Sequence, residues 1–297
     1  MTTTTEPTTS AARTPGEALP RRHPARRHPL ASWFAKAIVV LAVVLAAAAA
    51  GLTAASASTH NWIATGWNIH LVNQAQPGTA AHFFNTPDSY GTGSNPTTGT
   101  VTDAFRTTPT LLYTSYAQFM SDINNGAITG PYHWVLYDPE YWSRTPLAEQ
   151  QDPGTYLRLF GQLAHVHGYQ VIEAPARDLG NTAGSTCPKL APETLNQWYV
   201  RCNIAGAAAA YSDVYVLQNQ VNTTNLGDYQ WLFSHARQQA LAANSRAVVD
   251  SEVSTNYGTA DQMAAAVRSV PATGFYVSIT NISTACQFFQ KIQAAGY

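Results

Sequence analysis

An acidic pair, Asp138 and Glu140, directly follows an apolar run that begins at His133. Pro139 separates the two and has no N–H to donate to a central sheet, so we expect a strand to end at this point. Residues two apart on a strand point to the same face, which places both carboxyls in one space. Carboxyls that share a site acquire different pKa values, so that one can donate a proton while the other carries charge.

A second pair, Asp250 and Glu252, ends the apolar run that begins at Arg246. One protonated and one charged carboxyl are the groups that cleave a glycosidic bond. The first protonates the leaving oxygen, and the second acts as nucleophile, base or electrostatic support. The alternative is that these residues only cap the following helices or pair with a cation such as Arg144 or Arg177.

Other candidate site residues have side chains that suit a sugar ligand. Trp142 and Tyr137 flank the first acidic pair, and aromatic faces of this kind serve sugar stacking as well as core packing. Gln218 and Asn219 end a later apolar run, where they either bind hydroxyl groups or simply finish a strand. Asp178 follows another such run, and we place it on the same rim.

Strands and helices are predicted to alternate from residue 110 onward. The expected strands are apolar, β-branched or aromatic runs at Thr110–Ser115, His133–Asp138, Gln170–Ala174, Val214–Asn219, Arg246–Ser251 and Gly274–Thr280. Helical patterns separate them, and near-continuous apolar strands of this kind indicate a parallel sheet buried on both faces. Trp62–Leu71 is predicted as an earlier strand. Residues 85–109 are rich in Gly, Thr, Asn and Pro, which is typical of a long loop, with room for one short strand nearby.

Seven or eight such units predict a (β/α)8 TIM-type barrel. The alternative of an irregular or missing βα unit near the amino terminus is left open. A doubly wound open sheet is the alternative, although no glycine-rich phosphate-binding motif follows any strand. Active sites of these barrels lie at the carboxyl ends of the strands, so we expect both acidic pairs at one mouth. If Glu173 points into the barrel, it needs a partner such as Arg177.

Three segments in the same order resemble the family-eighteen glycoside hydrolases, the chitinases of the hevamine kind. Asp138-Pro139-Glu140 is similar to the end of their Asp-x-x-Asp-x-Asp-x-Glu signature. Val171–Pro175 resembles the Ala-Ala-Pro strand that follows in those enzymes. Tyr211–Gln220 resembles their next strand, which reads aromatic-Val-Gln-Phe-Tyr-Asn. The resemblance covers roughly residues 130–220.

The resemblance implies that Glu140 is the acid and that Asp138 helps to position the acetamido group of the substrate. The chain departs from the family pattern at His133 and Leu136, which stand where the family has Asp, and it lacks the Tyr of the Tyr-Asn pair. Glu140 and Glu252 fit equally well the pattern of other barrel glycosidases, which use one Glu on strand four and one on strand seven.

Residues 1–57 are predicted to form a disordered amino terminus followed by a secretion signal. A cationic region at 21–30 precedes an apolar region at 37–52, and Ala55-Ser56-Ala57 forms a small-x-small cleavage site. Residues 58–297 then form one domain outside the cell. The alternative is an uncleaved anchor over residues 33–55 on the outer face of the membrane, which is the only membrane contact we expect.

The domain 58–297 has a mildly acidic composition. Six of the 16 basic residues and two of the 17 acidic residues precede residue 58, which leaves a net charge of −5. Such a surface argues against nucleic acid as a partner. Cys187 and Cys202 are expected to form a disulfide in an oxidising compartment, with Cys286 buried. No zinc spacing is present, and we expect no metal, no cofactor and a monomer.

These observations predict a secreted glycoside hydrolase that cleaves an extracellular polysaccharide or oligosaccharide with Glu140 as general acid. A carbohydrate-binding, lectin-like barrel without catalysis is the second hypothesis, and a cell-surface protein without a sugar site is the third. The motifs of serine hydrolases (G-x-S-x-G) and zinc proteases (H-E-x-x-H) do not occur.

Overall fold

The strands of the barrel follow one another in space in the order of the chain. The computed structural model describes residues 60–97 and 103–297, so the predicted signal at 1–57 lies outside the described residues. Within those two ranges eight parallel strands form a closed barrel, in which each strand pairs with the next and the eighth pairs with the first. The predicted (β/α)8 barrel is confirmed, with all of its strands present.

The strands are β1 Asn61–Thr65, β2 Ser89–Gly93, β3 Thr108–Tyr113, β4 Trp134–Tyr137, β5 Gln170–Glu173, β6 Val214–Leu217, β7 Val248–Ser254 and β8 Gly274–Ser278. The helices are α1 Gly66–Ala75, α2 Pro77–Phe84, α3 Tyr116–Asn124, α4 Leu147–Gln151, α5 Pro153–Val166, α6 Leu195–Arg201, α7 Ile204–Ala209, α8 Leu226–Ala243, α9 Ala260–Arg268 and α10 Ile282–Ala294. Short 3-10 helices lie at Arg177–Asn181 and Gln220–Asn222.

Two predictions near the amino terminus were wrong in their boundaries. The strand predicted over Trp62–Leu71 ends at Thr65, because the Thr65 side chain accepts the N–H of Asn68 and caps α1. The loop predicted over 85–109 contains β2. Its sequence, SYGTG, has weak strand propensity, and its conformation depends on pairing with β1 and β3 on either side.

The barrel interior is filled by side chains from alternate positions of the strands. Its apolar members are Ile63, Tyr90, Leu136, Ile172, Ala174, Val214, Val216 and Tyr276. The opposite faces of the strands pack against the helices in a larger apolar layer. This arrangement leaves the carboxyl ends of the strands to form the open mouth.

Cys187 and Cys202 form the predicted disulfide, with their Cα atoms 6.1 Å apart. The bond joins the loop after β5 to the end of α6. Cys286 is a free cysteine buried on α10, as predicted. Within residues 60–97 and 103–297, no helix is long and apolar enough to cross a membrane.

Glu173 lies on the helix-facing side of β5 and not inside the barrel. Its register partners Tyr137 and Tyr215 both belong to the layer between sheet and helices. The side chain is fully buried, and neither carboxyl oxygen has a hydrogen-bond partner among the residues that the structure describes. Burial raises the pKa of this carboxyl well above its usual value. The partner expected for it, Arg177, instead donates to Asn196.

Replacing Glu173 by Gln is expected to stabilise the protein increasingly as pH rises. The raised pKa means that the native state keeps a proton that the unfolded chain loses above about pH 4.3, so wild-type stability falls by about 1.4 kcal/mol per pH unit in that window. Glutamine is neutral throughout and removes this loss. Thermal melts of both proteins from pH 4 to pH 8 measure the difference.

Glu193→Gln serves as a control with the opposite sign. The Arg201 side chain lowers the pKa of Glu193 to about 2, so this ion-paired carboxyl stabilises the protein above the unfolded pKa and loses that effect as pH falls. If the stability difference between Glu173→Gln and wild type stayed constant across the pH range, native Glu173 would not be a buried carboxyl that keeps its proton.

Candidate active site at the barrel mouth

Four carboxyl groups in the described part of the chain converge at the mouth of the barrel. Asp138 and Glu140 follow β4, Asp178 lies in the 3-10 helix after β5, and Glu252 lies on β7. Their charges affect one another, because Glu140 and Asp178 raise the pKa of Asp138, and Asp138 and Glu140 raise the pKa of Glu252. The structure thus brings Glu252 to the predicted first pair, and Asp178 joins them on the rim.

Asp138 is buried at the bottom of this cluster. Its backbone N–H donates to the Tyr113 carbonyl at 2.8 Å, which extends the β3–β4 ladder up to the proline. The side-chain amide of Gln218 donates to the Asp138 carboxyl and, at 2.8 Å, to the Ala174 carbonyl. Burial raises the pKa of Asp138 well above its usual value, while Arg144 and the Gln218 hydrogen bond favour its charged form.

Glu140 lies just beyond the end of the strand and is half-buried. Its backbone N–H donates to Thr145 Oγ1 at 3.2 Å, and that hydroxyl donates to the Thr114 carbonyl at 2.9 Å. These bonds fix the turn after Pro139. Burial and the nearby Asp178 raise the pKa of Glu140 to about 7. A carboxyl with that pKa holds a proton at neutral pH in about half of the molecules and can release it.

The two acidic residues of β7 lie at different depths, because the strand runs to Ser254 and not to Ser251. Glu252 is inside the mouth, 4% exposed, and its Oε2 has no hydrogen-bond partner in the described ranges. Asp250 is two residues deeper and fully buried within the barrel. The prediction of Asp250 as a catalytic residue at the mouth is therefore wrong in its placement. Burial raises its pKa to about 8, which Asn61 opposes.

Two cavities adjoin the acidic cluster, one lined by Asp138 and the other by Glu140. The larger has a volume of about 450 Å³ and is lined by Asp138, Trp142, Arg144, Trp67, Thr92 and neighbouring residues. The smaller, of about 210 Å³, is lined by Glu140, Arg177, Asp178, Gln218, Gln220 and Tyr257 among others. Because Asp138 faces one cavity and Glu140 the other, a ligand that fills both passes over the acidic pair.

The aromatic surface of the larger cavity differs from the prediction. Trp142 does line the cavity, but the Arg144 guanidinium carbon lies 4.3 Å from its ring centroid and covers one face. Its indole N–H donates to Thr145 Oγ1 at 2.9 Å. Trp67, at the start of α1, is 58% exposed and offers the more open ring. Trp67 was not among the predicted site residues, because residues 62–71 were predicted to form one strand.

Tyr276 of β8 is a further site residue that the sequence analysis missed. The side chain points into the barrel and is 8% exposed. Burial raises its pKa well above the usual value, as do the charges of Asp138 and Glu252, while a hydrogen bond with Thr92 opposes the rise. The hydroxyl therefore stays protonated beside the carboxyls. In the sequence, Tyr276 lies within an apolar run that predicts a strand, and nothing in that run distinguishes it as a site residue.

Two predicted binding residues face away from the mouth. Tyr137 is fully buried against the helices, where its ring stacks on Phe160 at 4.5 Å and its hydroxyl donates to Glu149 at 2.7 Å. The Asn219 side chain is also fully buried, and it donates to the Tyr229 carbonyl at 2.9 Å. Neither residue can contact a ligand at the mouth, so both predictions are corrected to structural roles.

The chemistry of the site is therefore that of carboxyls, an amide and aromatic rings. Among residues 60–97 and 103–297, no group of three or more His, Cys, Asp and Glu side chains has the arrangement of a metal site. A scan of the chain against models of known protein families finds no match, and a search of curated proteins finds none either.

Proposed function

We propose that this chain is a glycoside hydrolase that acts outside the cell on a polysaccharide or oligosaccharide, with Glu140 as the general acid. The observation that carries the proposal is the position of Asp138 and Glu140 at the barrel mouth, where each carboxyl residue lines one of two cavities. A sugar chain that lies across both cavities presents a glycosidic oxygen to the acidic pair. Glycoside cleavage needs such a pair of carboxyls.

The proposed reaction begins with proton transfer from Glu140 to the glycosidic oxygen. The bond from that oxygen to the anomeric carbon then breaks, and positive charge develops on the sugar ring. A water molecule completes the hydrolysis by bonding to the anomeric carbon and giving a proton to the Glu140 carboxylate, which restores the acid. We assign Asp138 to stabilise the positive charge, because its carboxyl accepts a hydrogen bond from Gln218. Burial raises the pKa of Asp138, but Gln218 and Arg144 oppose the rise. The protonated Tyr276 hydroxyl, which is hydrogen-bonded with Thr92, lies near the same carboxyls.

Glu252 is a poorer candidate for the second carboxyl. Burial raises the pKa of both Asp138 and Glu252 well above its usual value. Gln218 and Arg144 oppose this rise at Asp138, whereas Glu252 Oε2 has no hydrogen-bond partner among the described residues. We therefore prefer a mechanism in which Glu140 acts with Asp138, which is also what the resemblance to the hevamine-type chitinases implies. The identity of the glycan is left open.

Release of reducing ends from a panel of soluble polysaccharides tests the proposal. Glycol chitin, hydroxyethylcellulose, arabinoxylan and a β-1,3-glucan offer different sugars and linkages to the purified domain 58–297. We expect cleavage of at least one of them. Binding to a polysaccharide without any release of reducing ends would contradict the hydrolase.

A carbohydrate-binding barrel without catalysis is the second candidate, and one observation favours it. Leu136, where the resembling family has an Asp, packs in the apolar interior directly below Asp138. The acidic pair thus lacks a carboxyl beneath it on its own strand. Under this alternative, Glu140→Gln would bind the same polysaccharide as tightly as the wild type.

The location outside the cell is proposed on two grounds. The predicted signal precedes the domain, and the Cys187–Cys202 disulfide is typical of proteins in an oxidising compartment. Amino-terminal sequencing of protein recovered from the culture medium tests this, and a start at Ser58 is expected. Recovery in the membrane fraction with residues 33–55 intact would favour the anchored form.

A further inference from the structure

We propose that the substrate-binding surface continues from the barrel mouth over the rim to Trp231 on α8, where it binds more distant sugars of the same polysaccharide chain. This inference rests on the proposed function, because it assigns the mouth to a glycan. It adds that the substrate is an extended polymer and that part of its binding lies outside the catalytic cluster.

Trp231 is a partly exposed aromatic residue that is held in place. It is 38% exposed, although indole rings carry a large apolar surface that usually packs inside. The His235 ring lies one helical turn further along, with the two ring centroids 4.3 Å apart, and His235 Nδ1 is 2.8 Å from the Trp231 carbonyl oxygen. The indole is thus fixed on one side and open on the other.

Two cavities adjoin Trp231. One, of about 260 Å³, is lined by Thr194, Asn196, Gln197, Asp228 and Trp231. The other, of about 540 Å³, shares Trp231 and Gln197 and extends to Leu190, Pro192 and Arg201. An aromatic ring beside hydroxyl, amide and carboxyl groups is the composition that binds sugars, because the ring stacks on the sugar face while the polar groups bind its hydroxyls.

The smaller Trp231 cavity lies next to the cavity at the mouth. Arg177 and Leu195 line the cavity that contains Glu140, whereas Asn196 lines the smaller cavity beside Trp231. Arg177 donates to Asn196 Oδ1 at 2.6 Å, so a side chain of one cavity binds a side chain of the next. Only the first turn of α6 separates the two. A chain that leaves the mouth past Glu140 therefore reaches Trp231 over this turn.

The segment 187–202 lies beneath this path and is cross-linked. The Cys187–Cys202 disulfide joins its two ends, and Trp198 donates its indole N–H to the Cys187 carbonyl at 2.6 Å. Arg201 pairs with Glu193 at 2.8 Å. A surface that is ordered before binding loses little conformational entropy when a ligand arrives. These cross-links therefore favour a flexible polymer as the ligand over a partner whose binding requires the surface to change shape.

The test compares Trp231→Ala with wild type on a polymer and on a short oligosaccharide of the same sugar. Binding is measured by affinity electrophoresis in gels that contain glycol chitin, hydroxyethylcellulose, arabinoxylan or a β-1,3-glucan, and cleavage is measured as reducing ends. Loss of one stacking contact is expected to weaken polymer binding and lower kcat/KM on the polymer by about fivefold to tenfold. Cleavage of a trisaccharide or tetrasaccharide is expected to stay within about twofold of wild type.

Two variants guard against a general effect on the fold. Met120→Ala truncates a side chain of the same 38% exposure on α3, away from the path, and is expected to behave as wild type. Trp231→Phe keeps a stacking ring and is expected to recover much of the polymer binding. All variants are compared by thermal melts.

Failure of this inference differs from failure of the proposed function. Equal polymer binding and cleavage by Trp231→Ala and wild type would overturn the path while the hydrolase stands. Weaker polymer binding by Trp231→Ala, with no cleavage by any variant, would support the path and overturn the hydrolase. Wild type that binds none of the four polysaccharides would overturn the path.

Discussion

Replacing Glu140 by glutamine is expected to lower kcat on the cleaved glycan by a factor of about 10²–10⁴. Glutamine has nearly the same shape but cannot donate a proton to the glycosidic oxygen. The residue is only half-buried, and its backbone N–H bonds to Thr145, so the fold should not change. Steady-state rates of reducing-end release, measured beside thermal melts, give the comparison.

The pH profile supplies a second readout of the same group. Since the pKa of Glu140 is about 7, wild-type kcat/KM should fall about tenfold per pH unit above neutrality, as the acid loses its proton. Glu140→Gln should show no such limb in its residual activity. The matched control is Asp88→Asn, which changes an exposed carboxyl just before β2, at the end of the barrel opposite the mouth. A folded Glu140→Gln protein with full activity would rule out Glu140 as the acid.

Asp138→Asn is expected to cost on the order of 100-fold in kcat, or about 2.7 kcal/mol of transition-state stabilisation, whereas Glu252→Gln should cost less than about tenfold. The reason lies in the groups that oppose the raised pKa of each carboxyl. Burial raises the pKa of Asp138, but Gln218 and Arg144 oppose the rise and make its charged form accessible, which asparagine removes. Burial and its acidic neighbours favour the protonated form of Glu252, which glutamine imitates.

Measuring both variants on the same substrate decides between two kinds of barrel glycosidase. The expected order, with Asp138→Asn the more damaged, supports a mechanism based on the first acidic pair. The reverse order would show that Glu252 is the nucleophile and that the strand-four and strand-seven arrangement operates. Thermal melts are needed for both, because each side chain is buried.

The sequence by itself determined the architecture and the first acidic pair. Near-continuous apolar runs separated by helical patterns predict a parallel sheet buried on both faces, and a proline between Asp138 and Glu140 marks the end of a strand whatever surrounds it. The disulfide between Cys187 and Cys202 followed from the number and spacing of cysteines. These signals are local, so they survive without knowledge of the tertiary structure.

The tertiary structure alone decided which way the side chains point and how deep they lie. In a strand that is apolar on both faces, period-two alternation does not tell the barrel interior from the helix-facing side. Because of that ambiguity, the sequence did not determine the direction of the Tyr137 and Glu173 side chains, which face the helices in the structure. The depth of Asp250 and the nearness of Glu252, Asp178 and Trp67 to the first pair depend on where strands end and how the barrel closes, which only contacts between distant residues determine.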